Sequence, residues 1–192
     1  MLTSATESLI GGVACDEAAL VQEAQQTPAY FAALYDHYVE RIYWYMHTHA
    51  AGDDAQDLTQ QVFLQALAAL PRYRPRKGPF VAWLFGIARH VAADYHRAAR
   101  RTLPWERVRA EDQPGTGQDL EAGVVRQEDL ERLHALLTRL DPQKRDLLAL
   151  RFAGRLTAAE IAVVIGKSEA ATKKALARTL QTVKEHYHGH AH

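Results

Sequence analysis

Apolar side chains recur at three- and four-residue steps along most of the chain. Strict two-residue alternation is absent, so the pattern predicts helices and no strands. Phe31, Leu34, Tyr35, Tyr38, Ile42 and Tyr45 mark one such face. Thr27-Pro28 ahead of it reads as a cap followed by proline at the first helical position. An earlier helix, capped by Asp16, is predicted to run to about Gln26. A third, over 54–70, begins after Gly52-Asp53-Asp54 and ends at Pro71. A short loop, 72–78, leads into a fourth helix over 79–101. Residues 111–117 read EDQPGTG and carry no apolar period, as expected of a linker. Helical pattern resumes near Val125 and runs to Leu140, and Asp141-Pro142 is another cap-plus-proline start. Thr157 and Glu160 have capping-box spacing, Gly166 suits the end of that short helix, and Ser168 can cap the next, to about Lys184. The expected fold class is all-α, with two small helical domains joined by a flexible linker, the C-terminal one a helix-turn-helix. The predicted bounds are 16–101, a linker over 102–124, 125–185, and a histidine-rich tail over 186–192.

Composition narrows the class. The 192 residues are 47% hydrophobic with a formal net charge of +0, which fits a folded globular protein. The single cysteine, Cys15, excludes an internal disulfide and a cysteine zinc cage. The longest apolar runs, such as 80–88, fall far below the ~18 residues that span a bilayer. The N-terminus lacks the basic start and apolar core of a signal peptide. A soluble cytoplasmic protein without membrane insertion is expected. No P-loop, HExxH or dinucleotide fingerprint occurs, so neither an enzyme nor a cofactor is predicted. His186, His188, His190 and His192 would share one face of an extended segment and could chelate a metal, as could Met46-His47-Thr48-His49. The competing reading of the former is an unordered terminus, and no metal site is predicted.

Charge is strongly segregated. From residue 1 to 70 the only base is Arg41, against nine acids. From 71 to 101 the bases are Arg72, Arg74, Arg76, Lys77, Arg89, Arg97, Arg100 and Arg101, and Asp94 is the only acid. Tyr73, Phe80, Trp83, Phe85 and Tyr95 are interleaved with them. Bases beside flat aromatic faces suit nucleic acid whose bases are unstacked. Phe80, Leu84, Ile87, Ala88 and Val91 form a core stripe, whereas Trp83 and Phe85 fall off it and face either core or DNA. On the third helix Phe63, Leu64 and Leu67 widen the apolar sector, so they are either all core or partly exposed for a partner. In the C-terminal pair, Lys173, Lys174 and Arg178 share a broad face of the second helix, where a duplex reader meets the major groove. Ser168 and neighbouring amides could hold a phosphate there. An ordinary hairpin with a solvated basic face is the alternative.

The order of these pieces resembles the extracytoplasmic-function (ECF) sigma factors, the two-domain class of bacterial RNA polymerase sigma subunits. DLTQQVFLQAL from Asp57 is similar to the family's polymerase-binding helix, and FVAWLFGIAR from Phe80 to its promoter-melting helix. Leu150-Arg151-Phe152, Glu160-Ile161-Ala162 and Gly166 resemble the second domain. His90 stands where asparagine is usual, Gln61 replaces a common glutamate, and Thr172 sits where an apolar residue is typical. The resemblance implies that Asp57, Gln60, Gln61, Phe63 and Leu64 dock on core RNA polymerase. It implies that Tyr73, Arg74, Arg76, Lys77, Trp83, Arg89, His90, Arg97 and Arg100 take the melted single strand of the upstream promoter element. Ser168, Thr172, Lys173, Lys174 and Arg178 would contact duplex promoter DNA. An anti-sigma factor is a further partner that such a protein could have. The competing class is a dimeric helix-turn-helix regulator that never touches polymerase. The basic-aromatic run discriminates, because a duplex reader has no need of a base-capturing loop.

Overall fold

The computed structural model describes residues 17–50, 53–102 and 140–189, and among them every regular element is helical. The expected linker, the helix predicted over 125–139, the cap Asp16 and the end of the histidine tail lie outside the described residues. So do the side chains of Lys77 and Arg100. The helices are α1 (Glu17–Gln26), α2 (Phe31–His47), α3 (Asp53–Ala69), α4 (Phe80–Thr102), α5 (Pro142–Phe152), α6 (Ala158–Ile165) and α7 (Glu169–Gly189).

Most ends follow the local chemistry that predicts them. The Asp141 side chain accepts from the Gln143 amide at 2.9 Å, with Pro142 at the first helical position. Thr157 and Glu160 form a reciprocal capping box, and Gly166 closes α6 in the left-handed conformation. Thr27 departs from expectation. It is extended and makes no side-chain cap bond. Pro28 instead starts a 3-10 turn, closed by the Tyr30 amide on the Thr27 carbonyl at 3.1 Å, and that turn runs straight into α2.

Leu34, Tyr38, Ile42, Tyr45 and Met46 of α2 are buried against Leu58, Val62 and Ala66 of α3 and Phe80, Leu84, Ala88 and Val91 of α4. Tyr38 donates to Glu17, which ties α1 to α2. The buried sector of α4 is wider than one stripe, because α2 and α3 cover one flank and α6 covers another. Phe85, left ambiguous by periodicity, is therefore wholly buried and lies 5.5 Å from the Tyr45 ring. A Cβ on Gly154 would come 2.7 Å from the Phe85 ring, so only glycine permits this approach. Leu150, Leu156 and Ile161 of the C-terminal half join the same continuous core as the N-terminal helices.

Candidate nucleic-acid and partner interface

The α3 face is divided by helical phase. Asp57, Gln60, Gln61 and Leu64 are exposed, Leu64 at 68%. Leu67, one turn along, is also exposed, so the face mixes polar groups with an apolar patch. Phe63 does not belong to it. It is buried, 4.6 Å from the Tyr35 ring and 6.3 Å from Phe31, because its position on α3 points to α2.

The loop before α4 is built by side chains bonding to its backbone. Gln25 donates to the carbonyls of Leu70 and Tyr73 at 2.9 and 3.0 Å. Arg74 donates to the carbonyls of Pro71 and Tyr73 at 3.1 and 2.8 Å, so one arm of its guanidinium holds the loop. The Tyr73 hydroxyl donates to the Gly78 carbonyl at 3.0 Å, and its ring packs 5.6 Å from Phe80 and 5.1 Å from Trp83. Tyr73 is therefore buried and is not the open stacking platform that its place in the basic run suggested. Its burial raises the phenol above its ordinary pKa. Trp83 is partly buried within the same cluster, 5.3 Å from Phe80. Arg76 is exposed at the tip of the loop.

Along α4, His90 places Nδ1 2.9 Å from the Gly86 carbonyl. A carbonyl only accepts, so Nδ1 is the donor in this bond. Arg97 is exposed and pairs with Asp94 one turn away, a pair that contributes little in water. Arg89 is engaged across the molecule. Its Nε donates to Asp146 Oδ2 at 2.8 Å, and this bond raises the guanidinium's pKa further above its ordinary value.

In the helix-turn-helix, Ser168 Oγ accepts from the Ala171 amide at 3.2 Å. Lys174 and Arg178 are exposed, and Lys173 is exposed in an ion pair with Glu169 at 2.6 Å. Thr172 is fully buried, with its hydroxyl donating to the Ser168 carbonyl at 3.0 Å. It lies with Leu176 and Thr179 on the inner stripe of α7, so it sets the seating of that helix and has no face toward a groove.

Several residues at the junction of the two halves carry no local sequence signal. Tyr45 donates to Asp146 Oδ1 at 2.7 Å, and burial raises its phenol well above the ordinary value. His49 places Nε2 3.8 Å from the same oxygen, too far for a hydrogen bond, and this buried nitrogen has no hydrogen-bond partner. Burial lowers the His49 pKa to about 4, outweighing the opposing pull of Asp146. Arg41 donates to the Gly154 carbonyl at 2.9 Å and lies over the Tyr38 and Phe85 rings. Among the described residues no group of three or more His, Cys, Asp and Glu side chains is arranged to hold a metal ion, and no helix is long and apolar enough to cross a membrane.

Residues 34–102 match the family model for Sigma-70 region 2, and residues 130–183 match that for Sigma-70, region 4. The chain is 39% identical over 142 residues to the ECF RNA polymerase sigma factor SigD of Mycobacterium tuberculosis, covering 70% of this chain and 64% of that relative. It thus spans just under two thirds of the length of SigD. It is 36% identical over 132 residues to the ECF RNA polymerase sigma factor ShbA of Streptomyces griseus, covering 67% of this chain and 69% of that one. The sigma factor RpoE from Bartonella quintana, solved in complex with the anti-sigma factor NepR, has a TM-score of 0.65 at 18% identity. That alignment covers 81% of this chain and 95% of RpoE, a likeness of fold.

Proposed function

Because this chain belongs to the ECF RNA polymerase sigma factors, we propose that it binds core RNA polymerase and directs promoter recognition, DNA melting and transcription initiation. It would act as a specificity subunit with no chemistry of its own, in the bacterial cytoplasm where polymerase and chromosome are found. The observation that carries the reading is one frame holding an exposed acidic and apolar α3 face beside a basic loop and helix, ahead of a basic helix-turn-helix. A dimeric regulator would require only the last of these.

Asp57, Gln60, Gln61 and Leu64 would dock on a polymerase helix, with Phe63 bracing the face from behind. Arg76, Lys77, Arg89, Arg97 and Arg100 would neutralise phosphates of the opened strand. His90, exposed on the same helix, would hydrogen-bond a base edge. Extruding a base costs a few kcal/mol, and stacking on an aromatic face returns about 1–3 kcal/mol. With Tyr73 buried, that return would fall to the half-buried Trp83 ring and to the Arg74 guanidinium plane. Lys173, Lys174 and Arg178 would meet duplex DNA, with Ser168 at the helix start. The working units would be 16–101 and 125–185, joined through 102–124, and an anti-sigma factor would act by covering one of these faces. The test is co-purification with core polymerase followed by promoter-dependent transcription. Core binding with transcription from a specific promoter is the expected result, and absence of core binding refutes the proposal.

A further inference from the structure

The two halves meet at a polar cluster inside an otherwise apolar junction. The N-terminal half contributes three groups from α2, α4 and the turn after α2: the Tyr45 hydroxyl, the Arg89 guanidinium and the His49 ring. The C-terminal half contributes the Asp146 carboxylate, only 14% exposed, with one oxygen on Tyr45 and the other on Arg89. Taken without Asp146, the first set is an anion site. It has two donors that meet the two oxygens of one carboxylate, one fixed positive charge, and a buried imidazole nitrogen with no hydrogen bond. A carboxylate has two oxygens and leaves His49 Nε2 unserved at 3.8 Å. A phosphodiester has a comparable single charge and further oxygens to reach that third group.

We propose that Tyr45, Arg89 and His49 form a phosphate site on the N-terminal half, filled by Asp146 in this closed chain and by a DNA backbone phosphate in the open one. The inference rests on the reading of Arg89 as a contact to opened promoter DNA and adds a competitor for it. Two further contacts hold the junction closed. Val163 of α6 lies against Gly78 at the end of the capture loop, and Arg41 holds the Gly154 carbonyl. In the closed chain α6 therefore touches the end of the loop and packs on α4, while Arg76, His90 and Arg97 stay exposed. The two promoter elements of the proposed function would lie more than one DNA turn apart, ~34 Å. Release of α6 from α4 would let the two halves reach elements that far apart. Strand capture and opening thus become one exchange, carboxylate out and phosphate in.

The test uses the full chain carrying Cys15→Ser, Gln65→Cys and Gln181→Cys, labelled as a fluorescence energy-transfer pair on exposed sites of α3 and α7. The probe is a short single-stranded oligodeoxynucleotide at low salt. In the otherwise unaltered chain the probe should lower transfer efficiency. Asp146→Asn should lower it without DNA and tighten probe binding about 10-fold, the scale of one charge-assisted bond. Adding Arg89→Ala to Asp146→Asn should abolish that gain. Unchanged transfer in Asp146→Asn, opening without tighter binding, or a gain that survives Arg89→Ala would each overturn the proposal. Equal opening by inorganic phosphate at the same phosphate concentration would make this a free-anion site and overturn the DNA assignment. The readings are made without polymerase, so loss of core binding with the exchange intact strikes only the proposed function. Circular dichroism of each variant confirms that the helices persist.

Discussion

His49 gives the junction a pH dependence with a definite sign. Its pKa is lowered from 6.5 to about 4, first by burial, with His96, Arg145 and Arg89 adding to the shift and Asp146 opposing it. The facing groups come from α4 (Arg89 and His96), from α5 (Arg145 and Asp146) and from α2 (Tyr45). The unfolded chain takes up the proton near pH 6.5 and the folded one near 4. Above 6.5 both states are neutral at this ring and it contributes no pH dependence. As pH falls from 6.5 toward 4 the unfolded state binds more protons, so stability falls by about 1.4 kcal/mol per unit. At pH 5 the loss is about 2 kcal/mol, and it levels off near 3 kcal/mol below pH 4. His49→Gln removes the titration while keeping a neutral polar side chain of similar reach.

The assay is urea unfolding followed by circular dichroism from pH 7.5 to pH 4.5, comparing the two chains at each pH. Other histidines and carboxylates titrate in both chains and cancel in the difference. The expected result is a stability difference that shifts against the histidine form by about 2 kcal/mol between pH 7 and pH 5. Parallel profiles across that range would refute the argument, since they would mean that His49 is charged, or hydrated, in the folded chain.

Two further outcomes probe the surfaces. Leu64→Arg changes a side chain that is 68% exposed, so folding stability should move by no more than about 0.5 kcal/mol. Affinity for core polymerase should fall at least 10-fold in a pull-down titration, and full retention would remove α3 from the docking face. Lys173→Ala breaks only the exposed pair with Glu169. It should weaken duplex promoter binding about equally for matched and mismatched sequences and reduce the salt slope by about 1, read by fluorescence anisotropy across salt concentrations.

The sequence was legible where structure is decided within a turn or two of chain. Asp141, Thr157 with Glu160, and Gly166 each act on backbone groups within a few residues, and each makes the bonds its spacing implies. The α2 stripe was legible for the same reason, since one helix face follows from phase alone. Phe63 and Phe85 were not, because their burial depends on α2 and on Gly154, which lie far off in sequence. Thr172 was within reach. With Leu176 and Thr179 it follows the four- and three-residue steps of a buried stripe, and only its hydroxyl argued otherwise. That hydroxyl is satisfied locally by the Ser168 carbonyl, so burial leaves no donor unpaired.

Arg41 carries the furthest-reaching lesson. It is the only base among the first seventy residues. Its Nε reaches a carbonyl 113 residues away, and its guanidinium lies 5.3 and 5.7 Å from two ring centres. Asp146 does the converse, an acid from the C-terminal half that meets Arg89 and Tyr45 of the N-terminal half. Arg41 has one local contact, the Tyr38 ring, but the hydrogen-bonding partners of both residues lie far off in sequence. Both satisfy groups across a junction that also buries Phe85, Leu150 and Ile161 without remainder. An apolar junction alone would fix contact but not register, because dispersion is insensitive to direction. Arg41 on the Gly154 carbonyl and Asp146 between two donors supply the directional terms. Those polar terms, unlike the apolar ones, can be exchanged for a phosphate or for water at small net cost. A junction of this kind would be specific when closed and could still open by the proposed exchange, as binding to two separate promoter elements would need.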